Sequence, residues 1–557
     1  MSLSRRDFIK VVSSGAVATT LTACGSDDTN TVTDASFEHG VASGDPTQTQ
    51  VIIWTRVTTE ASYVDVSWQV SATEDFSSIE QSGIFATDTS RDFTVKVDVQ
   101  NLNPNTQYYY RFMVGEASSI VGITQTLPEG SVDKASMAVV SCANYPAGYF
   151  NVYKEILEQH QKASFDVVLH LGDYIYEYGA GGYASEDAAA LGREPSKGTE
   201  CITLDDYRKR YAQYRQDEDL QALHAALPMI AIWDDHELAN DAWKEGAENH
   251  HNSEGSFNDR RAAAAAAWTE WLPVRENTFS SMLIYRQFAF GDLINLMMLD
   301  TRLVGRDQPL DYFSLDAPTM EAIGGLVAQS RSTERELLGT EQLAWLINAF
   351  NQEAKWNVLG QQVLMSRMEL PSSVMLAMFQ LFTATDEQTM DALLAVNNAI
   401  ASYLADPSSD TVKLPYNLDA WDGYYVERER VYEIVKASSG NFVCLAGDTH
   451  NAWTSELKDV SNNPVGVEFA TSSVSSPGLE EYLALEPVAI AQMEYTLPNL
   501  VSELQWTDIK QRGFMRVTFT PEKAESTWYM LSTIKDRNYQ VTKKVASTSD
   551  GLTLDIE

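Results

Sequence analysis

Residues 166–177 join a mostly apolar run to a polar one: Asp166-Val167-Val168-Leu169-His170-Leu171-Gly172-Asp173-Tyr174-Ile175-Tyr176-Glu177. A short valine- and leucine-rich run that ends at glycine is typical of a buried β-strand, which we predict over 166–171. The residues that follow can bind metals or protons, and ligand sites in open α/β sheets lie just beyond the carboxyl ends of strands. The stretch therefore predicts a strand that ends in a functional loop.

Three other predicted strands end in the same way. Strand 136–141 is followed by Cys142-Ala143-Asn144, strand 229–233 by Asp234-Asp235-His236-Glu237 and then Asn240, and strand 442–446 by Gly447-Asp448-Thr449-His450. Helical patterns, such as those at 149–161 and 260–271, alternate with these strands, which predicts an α/β core from residue 136 onward. Four such endings, far apart in the chain, predict one converging polar site.

Residues 36–128 have a different pattern, with short runs of β-branched and aromatic residues separated by Gly, Pro, Ser and Asn. They predict an N-terminal β-sandwich. Leu102-Asn103-Pro104-Asn105-Thr106-Gln107-Tyr108 is similar to the tyrosine corner of fibronectin type III-like sandwiches. The second domain is expected over 136–557, with a helical insertion at 372–404. The methionines of this insertion are expected to fill the core, and the alternative is that they form a lipid- or substrate-facing surface. Residues 513–546 predict alternating strands.

The N-terminus predicts an exported protein. Ser4-Arg5-Arg6-Asp7-Phe8-Ile9-Lys10 forms a twin-arginine signal, and the apolar stretch at 11–23 is too short for a membrane span. Leu21-Thr22-Ala23-Cys24 resembles a lipobox, so we expect residues 1–23 to be a lipoprotein signal peptide, Cys24 to carry the lipid, and 24–35 to be a tether. The alternative is an ordinary cleavable signal. The expected location is periplasmic or extracellular, with the lipid at Cys24 as the membrane contact.

The overall charge excludes one class of function. The 557 residues include 40 Lys and Arg against 78 Asp and Glu, a net charge of −38, while 44% of the residues are hydrophobic. Nucleic-acid binding needs clustered positive charge, so it is not expected. Three cysteines beyond Cys24 allow at most one disulfide and leave a sulfur unexplained.

The strand ends carry three motifs in the order Gly-Asp, Asp-His-Glu and Gly-Asp-x-His. This order resembles the pattern of calcineurin-like metallophosphoesterases, and in detail that of their PhoD alkaline phosphatase/phosphodiesterase branch. Further matching segments stand in family order: Phe37-Glu38-His39-Gly40-Val41-Ala42-Ser43-Gly44-Asp45-Pro46, Leu299-Asp300-Thr301-Arg302, Leu359-Gly360-Gln361-Gln362-Val363, Asp419-Ala420-Trp421-Asp422-Gly423-Tyr424 and Ser476-Pro477-Gly478. The resemblance implies a two-sheet α/β/β/α sandwich behind the N-terminal β domain, with ferric iron and calcium in the active site.

The resemblance also implies individual roles. Asp173 corresponds to the carboxylate that bridges the metals, Tyr176 to an iron-binding tyrosinate, Cys142 and His450 to iron ligands, and Asp448 to a calcium ligand. A further calcium ligand is either Asp235 or Asn240. The donor types agree with these metals, because carboxylates suit calcium and a phenolate with a thiolate suits ferric iron. The Cys142 thiolate would also explain the leftover sulfur.

The expected reaction is hydrolysis of phosphate mono- and diesters of small molecules by a monomeric enzyme. We expect His236 to protonate the leaving alkoxide or contact the phosphate, Asp234 to orient His236, and Arg302 either to bind a phosphoryl oxygen or to pair with a carboxylate such as Asp300. One alternative is phospholipase D-like hydrolysis of lipid headgroups. Another is a non-enzymatic, calcium-stabilised adhesive lipoprotein. The predicted strands at 513–546 replace the capping helix common in the family, so any lid must come from elsewhere, such as 372–404.

Overall fold

The computed structural model describes residues 35–276, 283–315, 319–384, 388–483 and 485–557. The predicted signal peptide over 1–23, the lipid site at Cys24 and nearly all of the tether lie outside the described residues. In the described part of the chain, no helix is long and apolar enough to span a membrane.

Two large sheets form the centre of the molecule. The first sheet has ten strands. From edge to edge they are β24 (Asp555–Ile556), β23 (Val541–Thr548), β22 (Ala524–Leu531), β21 (Arg512–Phe519), β9 (Ala135–Val140), β10 (Val167–His170), β11 (Met229–Ala231), β1 (Val41–Gly44), β2 (Val51–Arg56) and β5 (Thr94–Val99). The three central strands, β9, β10 and β11, are parallel neighbours. Their carboxyl ends therefore meet at one edge of the sheet.

The second sheet has seven strands. Its order is β12 (Arg286–Phe290), β13 (Ile294–Met298), β14 (Trp356–Gly360), β17 (Asn441–Ala446), β19 (Pro464–Ala470), β18 (Ala452–Lys458) and β20 (Leu504–Asp508). Side chains of β17 alternate in direction, as the period of two in a strand requires. Val443 and Leu445 pack in the core shared with the first sheet, whereas Cys444 and Ala446 pack in a second core under helices. The two sheets therefore lie face to face.

Helices cover the outer faces of both sheets. They are α1 (Asn151–Lys162), α2 (Ala188–Leu191), α3 (Leu204–Tyr214), α4 (Glu218–Ala226), α5 (Phe257–Trp271), α6 (Met320–Ser330), α7 (Gly339–Ala349), α8 (Ser372–Phe382), α9 (Thr389–Ala405), α10 (Tyr425–Ala437), α11 (Leu479–Tyr482) and α12 (Pro487–Leu500). A short ribbon of β15 (Glu369–Pro371) and β16 (Lys413–Pro415) lies at the base of α8. The α/β/β/α sandwich predicted from the sequence is confirmed.

The N-terminal β-sandwich is present and shares a sheet with the core. Its outer sheet contains β3 (Tyr63–Ser71), β4 (Ile79–Asp88), β6 (Gln107–Val114), β7 (Ala117–Ser118) and β8 (Gly122–Gln125). Its inner layer is β1, β2 and β5, which are the last strands of the ten-stranded sheet, and one apolar cluster fills the space between the layers. Asn103 donates its backbone N–H to Tyr108 Oη at 2.8 Å, which is the contact of a tyrosine corner.

Candidate metal centre

Four strand-end loops meet at one edge of the sandwich. The loops after β9, β10 and β11 carry Cys142, Asp173 and the segment from Asp234 to His236, and the loop after β17 in the facing sheet carries Asp448 and His450. Within this cluster, three sets of side chains bring their candidate ligand atoms within 4.8 Å of one another. The sets are Cys142, Asp173 and His450; Asp173, Asp235 and His236; and Asp234, Asp235 and Asp448. The structure thus brings together the strand ends as predicted.

The loops turn sharply in order to point these side chains inward. Cys142, Asp173, Asp448 and His450 all have φ between 56° and 63°, the left-handed region that non-glycine residues rarely adopt. Such conformations cost roughly 1–3 kcal/mol each and concentrate at functional sites. Gly172 has φ +108°, and a Cβ there would lie 2.4 Å from Asp234 Cβ. Glycine therefore allows the second and third loops to approach one another.

Glu237 holds these two loops together. Its carboxylate accepts backbone hydrogen bonds from Asp173 at 3.0 Å, Tyr174 at 2.6 Å and Asp234 at 2.8 Å. Burial raises the pKa of Glu237 to about 8 despite these donors. The sequence motif contained Glu237, but two of its three partners, Asp173 and Tyr174, lie on a different loop, so this positioning role was not predicted.

One end of the cluster contains sulfur, phenol and imidazole donors. Tyr176 Oη donates to Asp173 Oδ2 at 2.9 Å and lies 3.3 Å from His450 Nε2. The Pro477 carbonyl lies 2.7 Å from His450 Nδ1, so that nitrogen donates and Nε2 keeps its lone pair for the cluster. Cys142 is fully buried beside them. These four residues could hold a metal that prefers anionic phenolate and thiolate ligands.

The other end consists of carboxylates. Asp234, Asp235 and Asp448 lie together, and Asp235 also approaches Asp173. The Asn240 side chain instead donates to Glu248 at 3.3 Å. Of the two alternatives left open by the sequence, Asp235 lies among the other candidate ligands.

The cluster has an excess of negative charge. Burial raises the pKa of both Asp173 and Asp448 well above the usual range, and the nearby carboxylates raise it further. Asp234 Oδ2 is buried and has no hydrogen-bond partner. Closely spaced carboxylates of this kind are stabilised by cations, so the donor set fits metal binding.

Arg302 supplies the fixed positive charge. The guanidinium is fully buried, and its nitrogens pair with Asp234, with Asp419 at 2.9 Å and with Asp448 at 3.0 Å. The Asp300 carboxylate accepts from the Arg302 backbone N–H at 2.9 Å and does not meet the guanidinium. Arg302 therefore pairs with carboxylates, which was one of the two expected arrangements, but its partners are Asp234, Asp419 and Asp448 and not Asp300.

His236 lies over the cluster with a defined orientation. Its Nδ1 lies 2.8 Å from Glu177 Oε2, and its ring stacks on Tyr176 with a centroid separation of 4.2 Å. Burial acts to lower the pKa of His236, but the charges of Asp235, Glu177 and Asp173 raise it well above the usual range. The orienting partner is Glu177, not the predicted Asp234, because Asp234 is occupied by Arg302.

Further aromatic residues surround this histidine. The Tyr178 and Tyr183 rings lie 5.4 Å and 6.3 Å from the His236 ring, and Tyr482 contacts Tyr183 from the α11 side. Sequence reasoning missed Tyr183 and Tyr482, since no strand-end motif contains them. They limit the open side of the cluster.

The three cysteines within the described residues form no disulfide. Cys142, Cys201 and Cys444 are buried free thiols. Cys444 lies within β17 under helices, so Cys142 is the one cysteine of these three in the candidate metal cluster.

A two-sheet α/β sandwich with carboxylate, imidazole, phenol and thiol groups at convergent strand ends defines the class of metal-dependent hydrolases. The sequence matches the PhoD-like phosphatase family over residues 137–528 and the N-terminal domain of that family over residues 22–128. It is 35% identical to alkaline phosphatase D of Bacillus subtilis (strain 168) over 461 residues, covering 79% of this chain and 70% of the relative. The solved structure described as "Structure of PhoD" superposes with a TM-score of 0.74 at 30% identity, covering 95% of this chain and 93% of the other.

The chain therefore belongs to the PhoD-like phosphatase family, and it is a phosphoester hydrolase. This confirms the family and the enzyme class predicted from the sequence. The adhesive, non-enzymatic alternative is set aside.

Proposed function

We propose that this chain is an exported phosphoesterase that uses ferric iron and calcium to hydrolyse phosphate mono- and diesters. The observation that carries the proposal is the buried cluster in which Asp173 is shared between a thiol–phenol–imidazole end and a carboxylate end. A shared carboxylate between two different donor sets suits two different metals.

Cys142, Tyr176, His450 and Asp173 would hold the iron. Thiolate and phenolate are anionic donors, which suit ferric iron better than calcium. Asp234, Asp235 and Asp448, with Asp173 shared, would hold calcium, which takes carboxylate oxygens. When bound, the two cations would supply the Lewis acidity that polarises a phosphoryl group and lowers the pKa of the attacking water.

The protein's own groups would perform the remaining tasks. Glu177 fixes the proton of His236 on Nδ1, and its negative charge stabilises the imidazolium, which would donate from Nε2 to the phosphate or the leaving alkoxide. Arg302 holds Asp234 and Asp448 in position without contacting the substrate. Glu237 fixes the spacing of the two loops that carry Asp173 and Asp234.

The N-terminal motif supports export in the folded state. We propose that the twin-arginine signal at Ser4 to Lys10 directs the chain across the membrane and that an acylated Cys24 anchors it outside the cytoplasm. Mass spectrometry of the mature protein tests this: a lipid-modified N-terminal cysteine is expected, and an unmodified N-terminus at another residue contradicts it.

The metal assignment is tested by a visible spectrum combined with metal analysis. We expect iron and calcium in the purified protein and a tyrosinate-to-iron absorption band that Tyr176→Phe removes. Tyr178→Phe is the matched control, because its ring also neighbours His236 but lies outside the candidate ligand set, and it should keep the band. Asp173→Ala should lower turnover of p-nitrophenyl phosphate and its bis ester at least about 100-fold, because partners of metal ligands alone contribute 10- to 100-fold. A colourless zinc protein contradicts the metals, and a metal-replete protein that hydrolyses neither ester contradicts the function.

A further inference from the structure

A partly open apolar cavity lies beside the candidate metal centre. It has a volume of about 290 Å³ and lies between α8 and α9 on one side and α12 on the other. Its lining includes Val374, Met378, Val396, Met493 and Leu497. Among the described residues that line it, none carries a charge, in a chain whose net charge is −38. An engineered apolar cavity of about 150 Å³ already binds benzene, so this one has room for an apolar ligand.

The cavity and the metal centre share two walls. Trp453 lines the cavity and donates its Nε1–H to Thr449 Oγ1 at 2.7 Å, and Thr449 stands between Asp448 and His450. Leu479 and Leu483 also line the cavity. They follow Pro477, whose carbonyl accepts from His450 Nδ1, and they flank Tyr482, whose Oη lies 3.4 Å from the same nitrogen. The cavity therefore borders the two loops that carry Asp448, His450 and Tyr482.

The chemistry of the lining limits what can enter. A charged headgroup would lose its hydration without finding a partner, so the occupant must be uncharged and apolar. Methionines at 378 and 493 adapt to flexible ligands. Met375 and Met378 of the insertion both pack in or against the core under the helices, as expected from the sequence, and Met378 also lines the cavity.

We propose that the cavity binds an unbranched aliphatic chain of the substrate, so that the enzyme prefers phosphate esters that carry such a chain. This rests on the proposed function, because the phosphate is placed at the candidate metal centre. Binding energy from the chain would then accelerate reaction at the distant phosphorus.

The test uses alkyl p-nitrophenyl phosphates with methyl, butyl, octyl and dodecyl groups and the metal-loaded full chain. In every member water forms the new P–O bond and p-nitrophenolate leaves, so only the alkyl chain differs. We expect kcat/KM to rise by up to about fourfold for each methylene that becomes buried, the equivalent of about 0.8 kcal/mol, and then to level off. Each substrate is tested below its critical micelle concentration and, as a separate comparison, above it.

Two variants on α12 form a matched pair. Both Ala489 and Ala491 are exposed, but Ala489 lines the cavity, whereas Ala491 does not and lies about 200° around the helix. Ala489→Phe should remove most of the chain-length gain and leave the methyl ester unchanged, and Ala491→Phe should keep the gain. If Ala489→Phe does not fold, the wild-type series still decides the proposal.

The outcomes separate this proposal from the proposed function. Turnover of the methyl ester with a flat dependence on chain length overturns the cavity proposal alone. A gain that appears only above the critical micelle concentration, and that Ala489→Phe retains, assigns the effect to the aggregate surface and also overturns it. If no ester reacts, the proposed function fails, and calorimetry with methyl and dodecyl phosphonate then tests the cavity: tighter binding of the dodecyl compound supports it, and equal binding overturns it.

Discussion

Replacing Glu177 with glutamine should separate proton transfer from metal binding. Glu177 is fully buried, and its Oε2 lies 2.8 Å from His236 Nδ1. Its Oε1 accepts from the Asn240 backbone at 2.9 Å and from Asn249 Nδ2 at 3.3 Å. Glutamine keeps the size of the side chain and one acceptor, so the loop should keep its position. The change removes the negative charge that holds His236 protonated and oriented.

The expected magnitude follows from that one contact. A hydrogen bond to a charged group contributes about 1.5–3 kcal/mol, and 1.36 kcal/mol corresponds to a factor of ten in rate. Glu177→Gln should therefore lower kcat for glycerol phosphate, which has a poor alkoxide leaving group, by about 10- to 150-fold. With p-nitrophenyl phosphate, whose phenolate leaves without protonation, the loss should be under about threefold.

The assay compares phosphate release from these two monoesters by the variant and the wild type at equal metal content. Glu248→Gln is the control, because Glu248 accepts from the Asn240 side chain and does not meet His236. It should change neither rate by more than about twofold. An equal loss on both substrates would show that Glu177 supports the site as a whole and would refute the role of His236 in protonating the leaving group.

Two further predictions concern folding. Burial lowers the pKa of His170 to about 3, whereas its pKa in the unfolded chain is about 6.5. The stabilisation that comes from keeping buried His170 neutral is therefore complete above pH 6.5 and is lost as the pH falls toward 3. Between pH 7.5 and 5.5 the free energy of unfolding of the wild type, measured by urea titration, should fall by about 1.4 kcal/mol more than that of His170→Gln; equal decreases would contradict this. Gly172→Ala should lower the melting temperature and metal content far more than Gly192→Ala, since both have positive φ but an added Cβ at Gly192 meets no atom within 4 Å. Similar effects of the two substitutions would contradict the close approach of the loops.

The sequence was most informative where local patterns determine structure. Strands such as Val167–His170 and Asn441–Ala446 are short apolar runs that end at glycine, and their endings identified Asp173, Asp448 and His450. The outer strand Ile79–Asp88 was not predicted, because glycine and serine interrupt its apolar residues and most of its positions are not buried. A strand can be recognised from the alternation of apolar and polar residues only where one of its faces is apolar.

Contacts between distant segments could not be predicted from the sequence. Glu177 and Glu237 stand in the quoted motifs, but their partners come from other loops, and no spacing rule connects Glu237 with the backbone of Asp173. Arg302 was expected to bind a phosphoryl oxygen or to pair with a carboxylate such as Asp300, yet its partner Asp419 lies 117 residues away. The cavity combines residues from Met368 to Val501, so only the folded chain shows it.

The distribution of charge explains how so acidic a protein can act on an anionic substrate. The net charge of −38 repels phosphate at long range, but screening at physiological salt limits that repulsion to about 8–10 Å. Within this distance the substrate meets the strand-end cluster, where bound cations would reverse the local field. It also meets an apolar cavity whose described lining carries no charge, so the acidity of the surface does not oppose an aliphatic chain. Higher ionic strength should therefore speed encounter with anionic esters and leave the chain-length preference unchanged, because one effect is electrostatic and the other depends on burial of apolar surface.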